Sequence, residues 1–256
     1  MKIKSPQEIS VMREGGKRLS RILKQVAEAV RPGITTIELD VLAERLIREG
    51  GDEPAFLHYK PDFSYKLFPA TLCTSVNDEV VHGIPSSRIL KEGDIVGLDL
   101  GLCHEGLFVD MAVTMGIGEL SGPAAKLIET TKRALEAGLS VVRDGARVSD
   151  IGATIEKVVL PAGFSIVEEL GGHGVGEHVH EAPFIPHFAD KSANDILQTG
   201  QTIAIEPMIN AGGKEVTFDE KDGYTVRTKD GKKSAHFEVT LVVTPQGFEV
   251  LTPIFW

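Results

Sequence analysis

Val30-Arg31-Pro32-Gly33-Ile34-Thr35-Thr36-Ile37-Glu38-Leu39 places a helix stop directly beside a helix start. Proline and glycine end whatever precedes them, and Thr35 with Glu38 three residues on is a capping box that opens the next helix. Upstream, Ser5-Pro6-Gln7-Glu8 is a second capping box with proline at the first helical position. Ile9, Met12, Leu19, Ile22, Leu23, Val26 and Val30 follow at helical spacing, so one face of a long helix is buried. Downstream, Leu39, Leu42, Ala43, Leu46 and Ile47 form the stripe of a shorter helix closed by Gly50-Gly51. A shift of 112 residues lays Val30-Arg31-x-Gly33 on Val142-Arg143-x-Gly145, Leu39 on Ile151 and Glu44 on Glu156. A second helix pair is expected there, with Leu127, Ile128, Leu135 and Leu139 inward, then Ile151, Ile155, Val158 and Val159 up to Pro161. If the match is a duplication rather than coincidence, the chain has two related halves, each a helix pair followed by strands.

Strands are expected at 71–76, 94–102, 107–115, 201–206 and 235–244, with long loops at 58–70 and 210–233. No Pro/Gly/Ser-rich linker divides the chain, so the expectation is one α+β domain over 1–256, with pseudo-symmetric halves of roughly 1–118 and 119–256. Its 256 residues can bury a substantial core. A net charge of -10 argues against nucleic acid or an anionic membrane as the main partner, since phosphate binding needs a basic footprint. Cys73 and Cys103 are the only cysteines, which excludes a disulfide framework and a tetrathiolate zinc site. With no leader-like or membrane-spanning run, a soluble, cytoplasmic protein is expected.

Several carboxylates stand where apolar side chains belong. Ile95–Gly101 and Leu107–Val113 flank Cys103-His104-Glu105-Gly106, and a hairpin centred between His104 and Glu105 sets Asp99 directly opposite Asp110. Facing carboxylates repel, and require a shared proton or a shared cation unless the face is solvated. Glu206 interrupts the apolar run Thr202–Met208, where an ionised carboxylate is costly unless paired or bound to metal. In Ala235–Leu241, alternation turns Ala235, Phe237, Val239 and Leu241 inward and His236, Glu238 and Thr240 the other way. Gly171–Pro183 holds His173, His178 and His180 among glycines that permit close backbone approach. The remaining histidines His58, His104, His187 and His236, together with His178, are read as structural or surface residues. Two Asp, two Glu and one His make an oxygen-rich set whose four negative charges two divalent cations would neutralise. Such ligands suit Mn, Fe or Co and accept Zn. Two bridged metals would clamp a shared water and polarise a carbonyl, which is metal-assisted hydrolysis.

The block Cys73–Pro85 (containing Asn77-x-x-Val80-x-His82-Gly83-Ile84-Pro85), the Asp99/Asp110 pair, Gly-His173-Gly, His180-Glu-x-Pro, Ile205-Glu206-Pro207-Met208, Asp222–Val226 and Phe237-Glu238 resemble the type I methionine aminopeptidases over essentially the whole chain. Gly-His-Gly and His-Glu-x-Pro are common to all peptidases of the pita-bread fold, while the other blocks are more specific. The resemblance implies two pseudo-symmetric halves around a central metal pair, and removal of an initiator methionine ahead of a small second residue. Asp99 would hold one metal through both oxygens, Asp110 and Glu238 would bridge, and His173 and Glu206 would complete the ligands of the second metal. Glu206 would also handle the proton of the attacking water. His82 and His180 would lie against the substrate peptide and stabilise the charged intermediate.

Departures from the family concern the methionine side-chain pocket: Tyr224 where Trp is common, Val179 where an aromatic precedes His180, and a longer segment over His58–Pro69. Val239 also replaces a familiar His after the last metal Glu. Cys73, Phe68, Tyr65 and Tyr224 are the pocket candidates. The partners implied are N-terminal Met peptides of nascent chains, with transient ribosome contact through the catalytic domain itself and a monomeric state. A proline-specific peptidase of the same fold is disfavoured by Met208 after Glu-Pro and by the lack of room for an added domain before Ser5. A type II enzyme is disfavoured because no long insertion separates His180 from Glu206, and an inactive binding module because all five ligand positions are intact.

Overall fold

The computed structural model describes residues 2–61 and 66–256. The first half contains α1 (Pro6–Ala29), α2 (Thr36–Glu49), β1 (Glu53–Pro54), β2 (Leu72–Val76), β3 (Glu79–Val81), β4 (Ile95–His104) and β5 (Leu107–Gly116). The second contains α3 (Gly122–Leu139), α4 (Val148–Val159), β6 (Ser165–Ile166), β7 (Gly172–Gly174), β8 (Glu181–Ile185), β9 (Thr202–Ile205), β10 (Met208–Asn210), β11 (Val216–Phe218), β12 (Val226–Thr228), β13 (Ser234–His236), β14 (Glu238–Thr244) and β15 (Gly247–Val250). Both capping boxes form as expected. Ser5 accepts from the Glu8 N–H while the Glu8 carboxylate accepts from the Ser5 N–H, and Thr35 and Glu38 do the same.

The main sheet runs β1-β4-β5-β14-β9-β7-β8, with β2 added on β4 and β15 on β14. Its centre is the antiparallel junction of β5 with β14, where Ala112 faces Glu238 and Met111 faces Val239. Period-2 alternation sorts these strands by face. Leu98, Leu100 and Leu102 of β4, Val109, Met111 and Val113 of β5, Ile203 and Ile205 of β9 and Val239 and Leu241 of β14 join one core with Met12, Leu19, Leu23, Leu127, Leu135 and Ile151 of the helices. Asp99, Asp110, Glu206 and Glu238 occupy the alternate positions, so all four carboxylates fall on the face away from the helices.

The duplication suggested by the sequence has a structural counterpart. Gly33 N–H donates to Leu90 O at 2.9 Å, Leu90 N–H to Ile34 O at 2.8 Å and Thr36 N–H to Arg88 O at 3.0 Å. In the second half Gly145 N–H donates to Leu197 O at 2.9 Å, Leu197 N–H to Ala146 O at 2.8 Å and Val148 N–H to Asp195 O at 2.9 Å. Gly33 and Gly145 both have positive φ, 91° and 75°, so the shared glycine meets the same backbone demand twice. The spacing from Leu90 to Leu197 is also that from Asp99 to Glu206, which makes these two carboxylates equivalent positions of the two halves.

Two expectations need correction. The β4–β5 hairpin is centred between Glu105 and Gly106, with His104 opposite Leu107, Asp99 opposite Ala112 and Gly101 opposite Asp110. Glu105 (φ 48°) and Gly106 (φ 81°) are both left-handed, as a two-residue primed turn requires, and glycine in its second place sets the centre. Asp99 and Asp110 are therefore diagonal rather than directly facing. Because the shift is even, they still share a face. The expected loop over 210–233 contains β11 and β12, and β12 pairs with β3; the glycine-rich 171–183 stretch supplies β7 and the start of β8.

Candidate metal centre

Asp99 rises from the middle of β4, Asp110 from β5, Glu238 from the start of β14, Glu206 just after β9 and His173 from the middle of β7. Local backbone fixes each direction. Thr240 Oγ1 accepts the Asp110 N–H and donates to the Asp110 O, both at 2.9 Å, which clips β5 to β14 at Asp110. His173 Nδ1 lies 2.9 Å from Gly174 O; a carbonyl can only accept, so Nδ1 carries the hydrogen and Nε2 presents its lone pair. That lone pair sits 3.4 Å from Glu206 Oε1 and 3.9 Å from Glu238 Oε1. Ligand-type atoms of Asp110, His173 and Glu238 lie within 4.8 Å of one another, as do those of Glu206, His236 and Glu238. Glu238 belongs to both groups.

The electrostatics of the cluster are those of a cation site. Asp99, Glu206 and Glu238 are pushed well above the usual carboxylate range, first by burial and then by their neighbours' charges. Burial raises Asp110 to about 7 against the opposing hydrogen bonds of Met111 N–H and Asp99. Desolvation lowers His173 to about 4, so its imidazole is neutral and ready to ligate. Asp99 Oδ1, Glu238 Oε1 and His236 Nε2 are buried without a hydrogen-bond partner. Buried polar atoms are normally satisfied, and hard oxygen donors with one imidazole suit divalent cations. The donor set and its orphaned atoms therefore fit bound metal.

These residues floor a cleft of about 770 Å³ whose walls include Phe56, Tyr59, Phe68, Cys73, His82, His180 and Tyr224. His82 follows β3 with φ 59°, an uncommon conformation for a side chain of its size. Its neighbour explains the arrangement: a Cβ on Gly83 would lie 2.3 Å from Thr74 O, and Thr74 N–H donates to Gly83 O at 2.8 Å. The His-Gly pair thus folds flat against β2 and projects the imidazole into the cleft. His180 stacks edge-on to His173 with ring centroids 4.5 Å apart, and the Tyr59 hydroxyl meets its Nδ1 at 2.8 Å.

Of the pocket candidates, Cys73, Phe68 and Tyr224 fall in one apolar cluster with Ala55, Phe56, Ala70 and Val179. Phe68 and Tyr224 meet edge to face at 5.1 Å, and the Tyr224 hydroxyl donates to Lys66 O. Tyr65 lies outside the described residues. Among the histidines set aside, His104 is structural, bound to buried Asp52 at 2.6 Å. Two others belong to the site. His187 Nε2 accepts the Glu206 N–H at 3.2 Å, and His236 Nε2 lies 3.3 Å from Glu206 Oε2. The alternation that put His236 on the face of Glu238 was a usable signal for it. Tyr59 and His187 carried no such signal, since their partners are distant in sequence.

Residues 10–245 match metallopeptidase family M24. The chain is 42% identical over 251 residues to methionine aminopeptidase 1 of Bacillus subtilis, covering 98% of each. It is 44% identical over 253 residues to the methionine aminopeptidase of Clostridium perfringens, again covering 98% of each. The crystal structure of methionine aminopeptidase from Rickettsia prowazekii superposes with a TM-score of 0.94 at 35% identity, over 99% of this chain and 100% of that one. Prolidase from Pyrococcus furiosus, at 20% identity and a TM-score of 0.80 over 99% of this chain and 66% of that one, shares the pita-bread fold alone.

Proposed function

The chain belongs to metallopeptidase family M24, and from that premise we propose that it is a methionine aminopeptidase, hydrolysing the initiator methionine from nascent polypeptides whose second residue is small. The observation that carries this reading is the convergence of Asp99, Asp110, His173, Glu206 and Glu238 on the floor of a cleft walled by the Phe68, Cys73 and Tyr224 cluster. Two divalent cations, Mn, Fe or Co with Zn also accepted, fit this donor set. Asp99, Asp110, His173, Glu206 and Glu238 would hold the ions, with Glu238 common to both groups of donors. Bound there, the cations supply Lewis-acid polarisation and a lowered pKa for water.

The protein's own groups do the rest. The apolar cluster around Phe68, Cys73 and Tyr224 takes the methionine side chain, and the free α-amine is held at the carboxylate end. Glu206, beside the scissile carbonyl, receives the proton of the attacking water and returns it to the departing amine. A Tyr59 hydroxyl donating to Nδ1 would leave the His180 hydrogen on Nε2, from where, with His82, it would donate to the carbonyl oxygen as negative charge develops there. A preference for small second residues would follow sterically if the cleft narrows beside the metals. On the same reading residues 1–256 form one catalytic domain of two halves. It acts as a cytoplasmic monomer, meeting nascent chains through the cleft itself with only transient ribosome contact. Among the described residues no helix is long and apolar enough to cross a membrane.

The test is release of free methionine from Met-Ala-Ser and Met-Lys-Ser by metal-stripped protein, with Mn, Co, Fe or Zn restored singly. Metal-dependent cleavage of the first peptide alone supports the reading. Silence with every metal, alongside cleavage of an X-Pro peptide, moves the protein to the proline-specific branch.

A further inference from the structure

We propose that His236 is a positioning residue of the metal centre, donating a hydrogen bond from Nε2–H to Glu206 Oε2 so that Oε1 is turned toward the cations. The two oxygens of Glu206 are already divided in this way: Oε1 lies 3.4 Å from the His173 lone pair and Oε2 lies 3.3 Å from His236 Nε2. His236 is 3% exposed, and its buried Nε2 makes no aligned hydrogen bond as the side chains stand, Glu206 Oε2 being a close polar contact that a small turn of the carboxylate would align.

Its ring is aimed by a backbone that cannot turn. Thr114 Oγ1 accepts the His236 N–H and donates to the His236 O, both at 2.8 Å, and β10 pairs Met208 with it on the other side. The next residue, Phe237, is fully buried. Glu206 is gripped less completely. Its N–H is held by His187 Nε2, but its side chain has three rotatable bonds. Opposite a cation Glu206 is ionised and only accepts, so the His236 nitrogen facing it must carry the hydrogen. A donor of this kind orients a ligand and raises metal affinity without touching the ion. The proposal uses only the metal-centre part of the reading above. A protein that binds cations in this cluster yet cleaves no methionyl peptide would leave it standing.

A 3.3 Å N···O separation also suits two ligands of one ion, and the test separates the two roles. Mn²⁺ is titrated calorimetrically into metal-stripped wild type, His236→Gln and His236→Leu. Glutamine keeps an N–H donor near the same place but replaces imidazole poorly as a ligand. The expected result is a 10–100-fold loss of affinity at one position in His236→Leu and recovery to within a few-fold in His236→Gln. Wild-type affinity in His236→Leu overturns the proposal by removing any role. An equal loss in both variants overturns it in favour of direct ligation. Should His236→Leu fail to fold, ¹H–¹⁵N NMR of Zn²⁺-loaded wild type still decides. A protonated Nε2 on His236 is expected, and a metal-bound or unprotonated Nε2 refutes the proposal.

Discussion

Removing the metals should make this protein lose stability relative to its metal-loaded form as pH rises, the reverse of ordinary carboxylate behaviour. Asp110 shows the size of the effect. Its pKa is raised from 3.8 to about 7 in the folded protein, chiefly by burial. A raised folded pKa contributes stability that is complete below the unfolded value, near 3.8, and is lost as pH climbs through about 7. Across that window the folded state keeps a proton that the unfolded chain has released, and stability falls by about 1.4 kcal/mol per pH unit for each such proton. From about pH 5 to pH 7 Asp110 alone removes roughly 2–3 kcal/mol, on the order of 5–10 °C in Tm for a chain of this size. Asp99, Glu206 and Glu238 are shifted in the same direction and carry the decline past pH 7. With cations bound the carboxylates are already ionised, and the slope should disappear. The assay is thermal or urea unfolding of chelator-treated and Mn²⁺-loaded protein between about pH 5 and pH 8. Subtracting the two curves cancels the groups whose lowered pKa works in the opposite sense, the buried His82, His180, His187 and His236 and the surface Glu8. A stripped-minus-loaded difference in stability that is flat or rises over this range would refute the account, because the cluster would then be solvated.

Tyr59→Phe removes the hydroxyl that meets His180 Nδ1, and kcat on Met-Ala-Ser should fall about tenfold with KM within a factor of two; unchanged kcat would take Tyr59 out of the mechanism. His82→Ala should lower kcat by roughly 10²–10³ with both metals retained, measured by steady-state kinetics together with metal analysis. Gly83→Ala places a methyl 2.3 Å from Thr74 O, so an unfolding free energy lowered by about 2 kcal/mol or more in denaturant titration is expected, with loss of activity through displaced His82. Ser5→Ala breaks the first capping box at a cost of about 1 kcal/mol by chemical denaturation, leaving kcat unchanged.

Much of this protein was legible because the deciding interactions are local. Ser5 with Glu8 and Thr35 with Glu38 reach three residues along the chain, so both caps could be read before any fold was known. Period-2 alternation similarly put Asp99, Asp110 and Glu238 on faces of their own, and an even error in the hairpin register left those faces intact. The five candidate ligands and their likeness to a metallopeptidase were therefore present in the sequence alone. What the tertiary structure decided were contacts between segments that only folding brings together. Tyr59 reaches His180 across 121 positions of chain, Asp110 is clipped to Thr240 across 130, and Glu206 is bracketed by His187 and His236 from two different segments. A histidine in a strand reads the same whether it fills a core or holds a carboxylate. Its neighbours in space, set by how β5 docks on β14, make the difference.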